Sequence, residues 1–120
     1  MTKLIDSHCH LDFDGLANRL PDVLSAMAAN DIAGCMTIGV TLEEAAQVLA
    51  IAHAYPQVFA SVGVHPEYAD HREPGVDDLC TLGVDPKVLA IGETGLDYHW
   101  HKDLPEWQRE RFRVHIRAAR

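Results

Sequence analysis

Leu4-Ile5-Asp6-Ser7-His8-Cys9-His10-Leu11-Asp12 decides how the chain is read. Two apolar residues lead into an aspartate, and two histidines follow with one residue between them. On an extended strand successive side chains alternate faces, so His8 and His10 point the same way and Asp6 shares their side. Two imidazoles on one face of a strand end can close on a single divalent ion, with Asp6 standing behind them as an orienting group. Strand-end histidines are also often plain polar groups satisfied by their surroundings, so the neighbouring segments decide between the two readings.

Outward from this stretch, Lys3 to His8 reads as a short buried strand, and residues 12–16 as a loop. Leu20, Val23, Leu24, Met27 and Ala28 recur at helical spacing, and Asn30-Asp31 closes that helix. Ile32 to Val40 is an apolar run with β-branched residues, a second buried strand. Thr41-Leu42-Glu43-Glu44 has the form of a capping box, with Thr41 capping and Glu44 reaching back. Ala45, Val48, Leu49 and Ala52 then mark one face of a helix that ends before Pro56. Val58 to Val64 is a third strand and delivers His65-Pro66. A polar loop runs from Glu67 to Gly75, and a short helix is expected around Val76 to Leu82. Val88 to Gly92 is a fourth strand and delivers Glu93. Asp103-Leu104-Pro105-Glu106 opens a last helix with another Asp-x-x-Glu cap, and Gln108, Phe112, Ile116 and Ala119 lie along its inner face.

Strand and helix alternate four times, which predicts an α/β fold: a parallel sheet in order 1-2-3-4, buried on both faces by helices. The chain reads as a single domain over residues 1–120. Chemistry-bearing residues follow three of the four strands, at His8/His10, His65 and Glu93, and carboxyl ends of strands are where βα folds carry their sites. The last helix has no Gly, Asn or Pro stop signal before Arg120, so the pattern is expected to be the first half of something longer. Unpaired edges on strands 1 and 4 would then favour self-association and a loosely held last helix.

The composition, 48% hydrophobic and 23% charged, is that of a globular protein. No apolar run approaches the ~20 residues of a membrane span. Met1-Thr2-Lys3, followed at once by Asp6 and His8, does not have the form of a secretory signal, so no membrane contact and a cytoplasmic location are expected. Cys9, Cys35 and Cys80 are an odd number at wide spacing and read as small buried hydrophobes. The net charge of −8 hides an asymmetry: five of the ten Lys/Arg lie in the last twelve residues. Residues 1–108 carry 17 acids against five bases, so no basic stripe offers general affinity for nucleic acid. A phosphate substrate would need bound metal to supply the local positive charge.

Glu93 stands in Ala90-Ile91-Gly92-Glu93-Thr94-Gly95-Leu96-Asp97-Tyr98. A carboxylate at a strand end between glycines that permit close approach suits a metal bridge, or alternatively caps the next segment. Together with Asp6-Ser7-His8-Cys9-His10-Leu11-Asp12 and Gly63-Val64-His65-Pro66, and with Gln108 followed by Phe112, it resembles the TatD family of metal-dependent hydrolases.

The resemblance implies the first half of a (β/α)8 TIM barrel of the amidohydrolase-like group, with one or two divalent ions and phosphodiesterase activity on DNA, often exonucleolytic. It assigns His8, His10 and Glu93 as metal ligands, with Glu93 bridging two ions, and places His65 near the substrate phosphate. His65 and Glu93 are therefore the candidate catalytic residues. Asp6 and Asp97 are the candidate supporting carboxylates, Asp97 chiefly as a stabiliser of its loop. Mixed His and carboxylate ligation fits Mg²⁺, Mn²⁺ or Zn²⁺. The family's further histidines, and the aspartate that would act as general base, have no counterpart among these 120 residues, so the isolated chain is expected to be inactive. Two alternatives remain open: a metal-dependent amidohydrolase or esterase acting on a small molecule, and a non-catalytic metal-binding half barrel. His53, His71, His99, His101 and His115 belong to no matched motif, and His99-Trp100-His101 reads as a solvated loop.

Overall fold

The computed structural model describes residues 3–120, so the Met1-Thr2 part of the reading against a signal lies outside the described residues. The elements are β1 (Leu4–Cys9), a 3-10 turn (Ala17–Arg19) running into α1 (Leu20–Ala29), β2 (Ile32–Thr37) and α2 (Ala45–Ala54). They continue with β3 (Val58–Val62), α3 (Val76–Gly83), β4 (Val88–Ile91) and α4 (Glu106–Ala119). All neighbouring strands pair in parallel, in the order β1-β2-β3-β4 that the alternation predicts.

Local chemistry sets the boundaries. Pro21 occupies the first turn of α1, where its missing N–H leaves no intrahelical bond unmade. Asn30 ends that helix, its side chain donating to the Ala26 carbonyl at 2.8 Å. Asp31 then turns the chain at a φ of 58°, a left-handed position that aspartate tolerates. Thr41 and Glu44 do pair as a box: the Thr41 hydroxyl accepts the Glu44 N–H at 3.1 Å and donates to its carboxylate at 3.0 Å. The box nevertheless closes a turn ahead of α2, which begins only at Ala45. The Asp103 cap expected for α4 does not form either. Pro105, with a φ of −59°, stands in the capping position and launches the helix through its fixed backbone.

One apolar cluster holds the sheet. Leu24 of α1 and Val48, Ile51 and Ala52 of α2 pack on Cys35, Val58 and Ala60 of β2 and β3, with Leu11 closing the top. Fully burying each larger aliphatic contributes about 1.5–3 kcal/mol, enough to fix helices to strands without directional bonds. The expectation of a sheet buried on both faces fails on the opposite side. Ile5 and Leu89 are 66% and 62% exposed, and with Met36 and Phe59 they line an open cavity of about 390 Å³. β1, read as a buried strand, is exposed over most of its length. An apolar run states that cover is favourable; it does not supply the covering element.

Two further expectations are corrected. Cys80 is exposed, while Cys35 is buried and Cys9 lies between the two. The inner side of α4 is also polar: Gln108, Arg111 and His115 are buried, whereas Ile116 and Ala119 face outward. Among the described residues no helix is long and apolar enough to cross a membrane.

Candidate metal centre

β2 is the strand whose end carries no chemical side chain, yet it positions two of them. The apolar run past Thr37 remains buried through Thr41 and continues the ladder irregularly. The Ile38 N–H bonds the Cys9 carbonyl at 2.9 Å, next to the two histidines. The Gly39 carbonyl accepts the Glu93 N–H, and the Val40 carbonyl accepts the His65 N–H, each at 2.9 Å. Beside them the ends of β3 and β4 pass in contact at Gly63. A Cβ there would lie 2.6–2.8 Å from the backbone of Gly92, so only glycine lets Glu93 come this close.

These constraints bring His8, His10, His65 and Glu93 together. One carboxylate oxygen of Glu93, Oε2, lies 3.3 Å from His8 Nε2 and 3.9 Å from His10 Nε2. The other, Oε1, lies 3.4 Å from His65 Nε2. Among the described residues, His8, His10 and Glu93 form the one group of metal-ligating side chains whose donor atoms all lie within 4.8 Å of one another. Ligand bonds of 2.0–2.2 Å in a tetrahedron separate donors by about 3.4 Å, so this trio fits a divalent ion with a position left for water. His8 is half exposed, while His10 and Glu93 are about one-quarter exposed, which leaves a route for an ion from solvent.

Different groups hold each ligand. Asp6 accepts the backbone N–H of His8 at 3.0 Å, so it fixes the strand end rather than an imidazole. Phe13 stacks on the His10 ring at 4.4 Å between centroids with a 19° interplanar angle. His10 Nδ1 is buried without a protein partner, so stacking sets the plane of that ring. Burial holds the Asp12 carboxyl above the usual carboxylate range, and its Oδ1 also lacks a partner.

His65 differs from the other two histidines. Its Nδ1 accepts the Glu67 backbone N–H at 3.1 Å. An amide can only donate, so the neutral ring carries its proton on Nε2, the atom facing Glu93. His65 is therefore presented as a donor rather than as a lone pair for a metal.

Asp97 sits apart from the cluster. Burial works against its charge, but backbone N–H groups of His99, Trp100 and His101 outweigh that and hold the carboxyl below its ordinary range. It ties its own loop. His53 pairs with Asp85 at 2.8 Å, and His71 lies 3.9 Å from Glu43. His101 donates through Nε2 to the Glu67 carbonyl at 3.0 Å, and His99 rests edge-on against Trp100. None of these joins the metal trio.

Sequence reading put Gln108 on the inner face of α4 but missed Arg111, His115 and the support they build beneath the site. Gln108 accepts the Asp97 N–H through Oε1 and donates through Nε2 to the Pro66 carbonyl, both at 2.9 Å. Arg111 donates to the His65 carbonyl at 2.7 Å and grips the Glu73 carboxylate with two nitrogens. His115 accepts the Val64 N–H at 2.9 Å and donates from Nδ1 to the Arg111 carbonyl at 2.7 Å. The signal was present in the spacing: positions 108, 111 and 115 lie on one face of a helix.

The family model described as TatD related DNase matches residues 5–120. The chain belongs to the TatD-related DNase family. It is 36% identical over 121 residues to YcfH of Escherichia coli K12, described as an uncharacterized metal-dependent hydrolase, covering 98% of this chain and 45% of the relative. It is 29% identical to the 3'-5' ssDNA/RNA exonuclease TatD of Salmonella typhimurium, covering 97% of this chain and 45% of that protein. Among solved structures, the TatD homolog YjjV of Escherichia coli K12 superposes with a TM-score of 0.87 at 28% identity, over 97% of this chain and 46% of the other. The chain thus spans a little under half the length of these TatD-family relatives, and its four βα units correspond to part of their TIM barrel.

Proposed function

We propose that this chain contributes the first metal-binding half of a TatD-type phosphodiesterase acting on DNA. The observation that carries the reading is the division of labour around Glu93: Oε2 faces the Nε2 atoms of His8 and His10, and Oε1 faces a histidine held as a donor.

A divalent ion at His8, His10 and Glu93 would lower the pKa of a bound water towards ~7 and polarise a phosphoryl oxygen. The chain's own residues do the rest. His8 and His10 would hold the ion through Nε2, and Glu93 would neutralise positive charge, with Oε1, the oxygen facing His65, the one available to a second ion. His65 offers its Nε2–H to a phosphoryl oxygen, with Nδ1 kept occupied by the Glu67 amide so that the donor cannot switch nitrogens. The acidic balance of residues 1–108 makes ion-mediated contact with phosphate the favourable route to DNA. Mg²⁺, Mn²⁺ and Zn²⁺ all suit the donor set.

The test is release of nucleotides from single- and double-stranded DNA after chelation and re-addition of each ion. A full-length barrel carrying this chain as its first half should cleave only with metal, and the 120-residue chain alone should not cleave. Glu93→Gln should lower both metal occupancy and turnover. His65→Ala should lower turnover with metal content unchanged. Cleavage that survives chelation would refute the reading, and metal-dependent cleavage of amides or carboxylic esters with none on DNA would move it to another substrate class.

A further inference from the structure

We infer that Gln108, Arg111 and His115 are positioning residues: a polar stripe on α4 that sets where His65 stands against Glu93. The inference rests on the reading of His65 as the substrate-facing donor.

The bonds of the stripe converge on the chain around that donor. His115 takes the N–H of Val64, Arg111 takes the carbonyl of His65, and Gln108 takes the carbonyl of Pro66. Three consecutive residues are thus held by three side chains of one rigid helix. The same Gln108 takes the N–H of Asp97, so one amide spans the loops that follow His65 and Glu93. Its carbonyl and amino ends are both used, which fixes its orientation.

The stripe costs burial that apolar residues would not. The Arg111 side chain is 1% exposed, and its charge is met by Glu73 and by the face of Trp107 at 4.7 Å. His115 is buried as the Nδ1–H tautomer, since the Val64 amide can only donate to its Nε2. A helix serving only to cover β4 would bury aliphatics here, as α2 does. Hydrogen bonds have direction, and direction is what a donor facing a phosphate needs: an error of about 1 Å in such a group can cost about a hundredfold in rate.

The experiment reads the placement of His65 directly, in the metal-free chain, as nuclear Overhauser cross-peaks between the His65 ring protons and the Glu93 γ-methylene. Gln108→Leu and His115→Leu should lose these cross-peaks. His115→Gln, which restores an acceptor for Val64 and a donor for Arg111, should keep them. Should a leucine variant fail to fold, Gln108→Glu serves in its place: it retains the size and the acceptor for Asp97 but opposes an oxygen to the Pro66 carbonyl, and should also lose them. Cross-peaks that persist in a folded Gln108→Leu, His115→Leu or Gln108→Glu variant overturn the inference and leave the stripe as packing.

In a preparation that hydrolyses bis(p-nitrophenyl) phosphate with Mn²⁺, the disrupting variants should lower kcat about tenfold with KM and Mn²⁺ affinity unchanged. A full-length wild-type barrel inactive on every phosphodiester defeats the functional reading instead, while the cross-peaks still decide the placement of His65.

Discussion

α2 and α4 pack on the same sheet by opposite means. α2 turns Val48, Ile51 and Ala52 to the strands and makes no side-chain hydrogen bond to them among those described. α4 turns Gln108, Arg111 and His115 inward, and all three bond backbone of the loops at the carboxyl ends of β3 and β4. Apolar burial scales with area and tolerates small shifts. A buried polar group tolerates no such shift, because a lost partner leaves an unsatisfied group in a poor solvent. The first helix holds the fold together, and the second holds a geometry.

Substitutions can break that contrast, and the largest effect is expected at Glu73. Removing it with Glu73→Ala leaves the Arg111 guanidinium buried without its counter-charge, which should cost about 3 kcal/mol in urea-induced unfolding. Ile51→Ala on α2 should cost about 2 kcal/mol while leaving the Mn²⁺ affinity of the His8, His10 and Glu93 trio within twofold. Gln108→Leu should cost less, about 1 kcal/mol, yet markedly speed amide exchange at Asp97, whose N–H loses its acceptor. An α2 variant that disturbs the site more than Gln108→Leu does would abolish the distinction.

The smallest effect is a pH slope. Burial is the main influence on His115 and pushes its imidazole below the usual range, although the Arg111 carbonyl pulls the other way. The unfolded chain then binds a proton at about pH 6.5 that the folded chain refuses, so stability is full above that pH and falls as pH drops through it. The melting temperature should decline from pH 7 to pH 5, and His115→Gln should flatten that decline. Asp97, held below its ordinary range, contributes in a separate, more acidic window, because its unfolded value is already near 4.

The same contrast explains what the sequence made legible. Periodicity sorts apolar from polar, so it found the sheet order and the apolar face of α2, and strand alternation put His8 and His10 on one side. It also sent Ile116 inward and left His115 unassigned, because it equates burial with apolarity and α4 reverses that rule. β1 failed for another reason: Leu4 and Ile5, on opposite faces of the strand, both call for cover, and both stay exposed. His65 was found, but its tautomer depends on an amide two residues away that no residue pattern encodes. The role of β2 was invisible because it is performed by the carbonyls of Gly39 and Val40, and every residue has a carbonyl.

Those two carbonyls belong to consecutive residues, and a trans peptide keeps consecutive Cα atoms 3.80 Å apart. Glu93 hangs from one and His65 from the other. The backbone amides of the two residues are therefore hung from points one peptide unit apart, like two marks on a steel rule. Breathing of the sheet can carry the rule along with both marks, while α4 governs how the His65 ring is turned from its own mark.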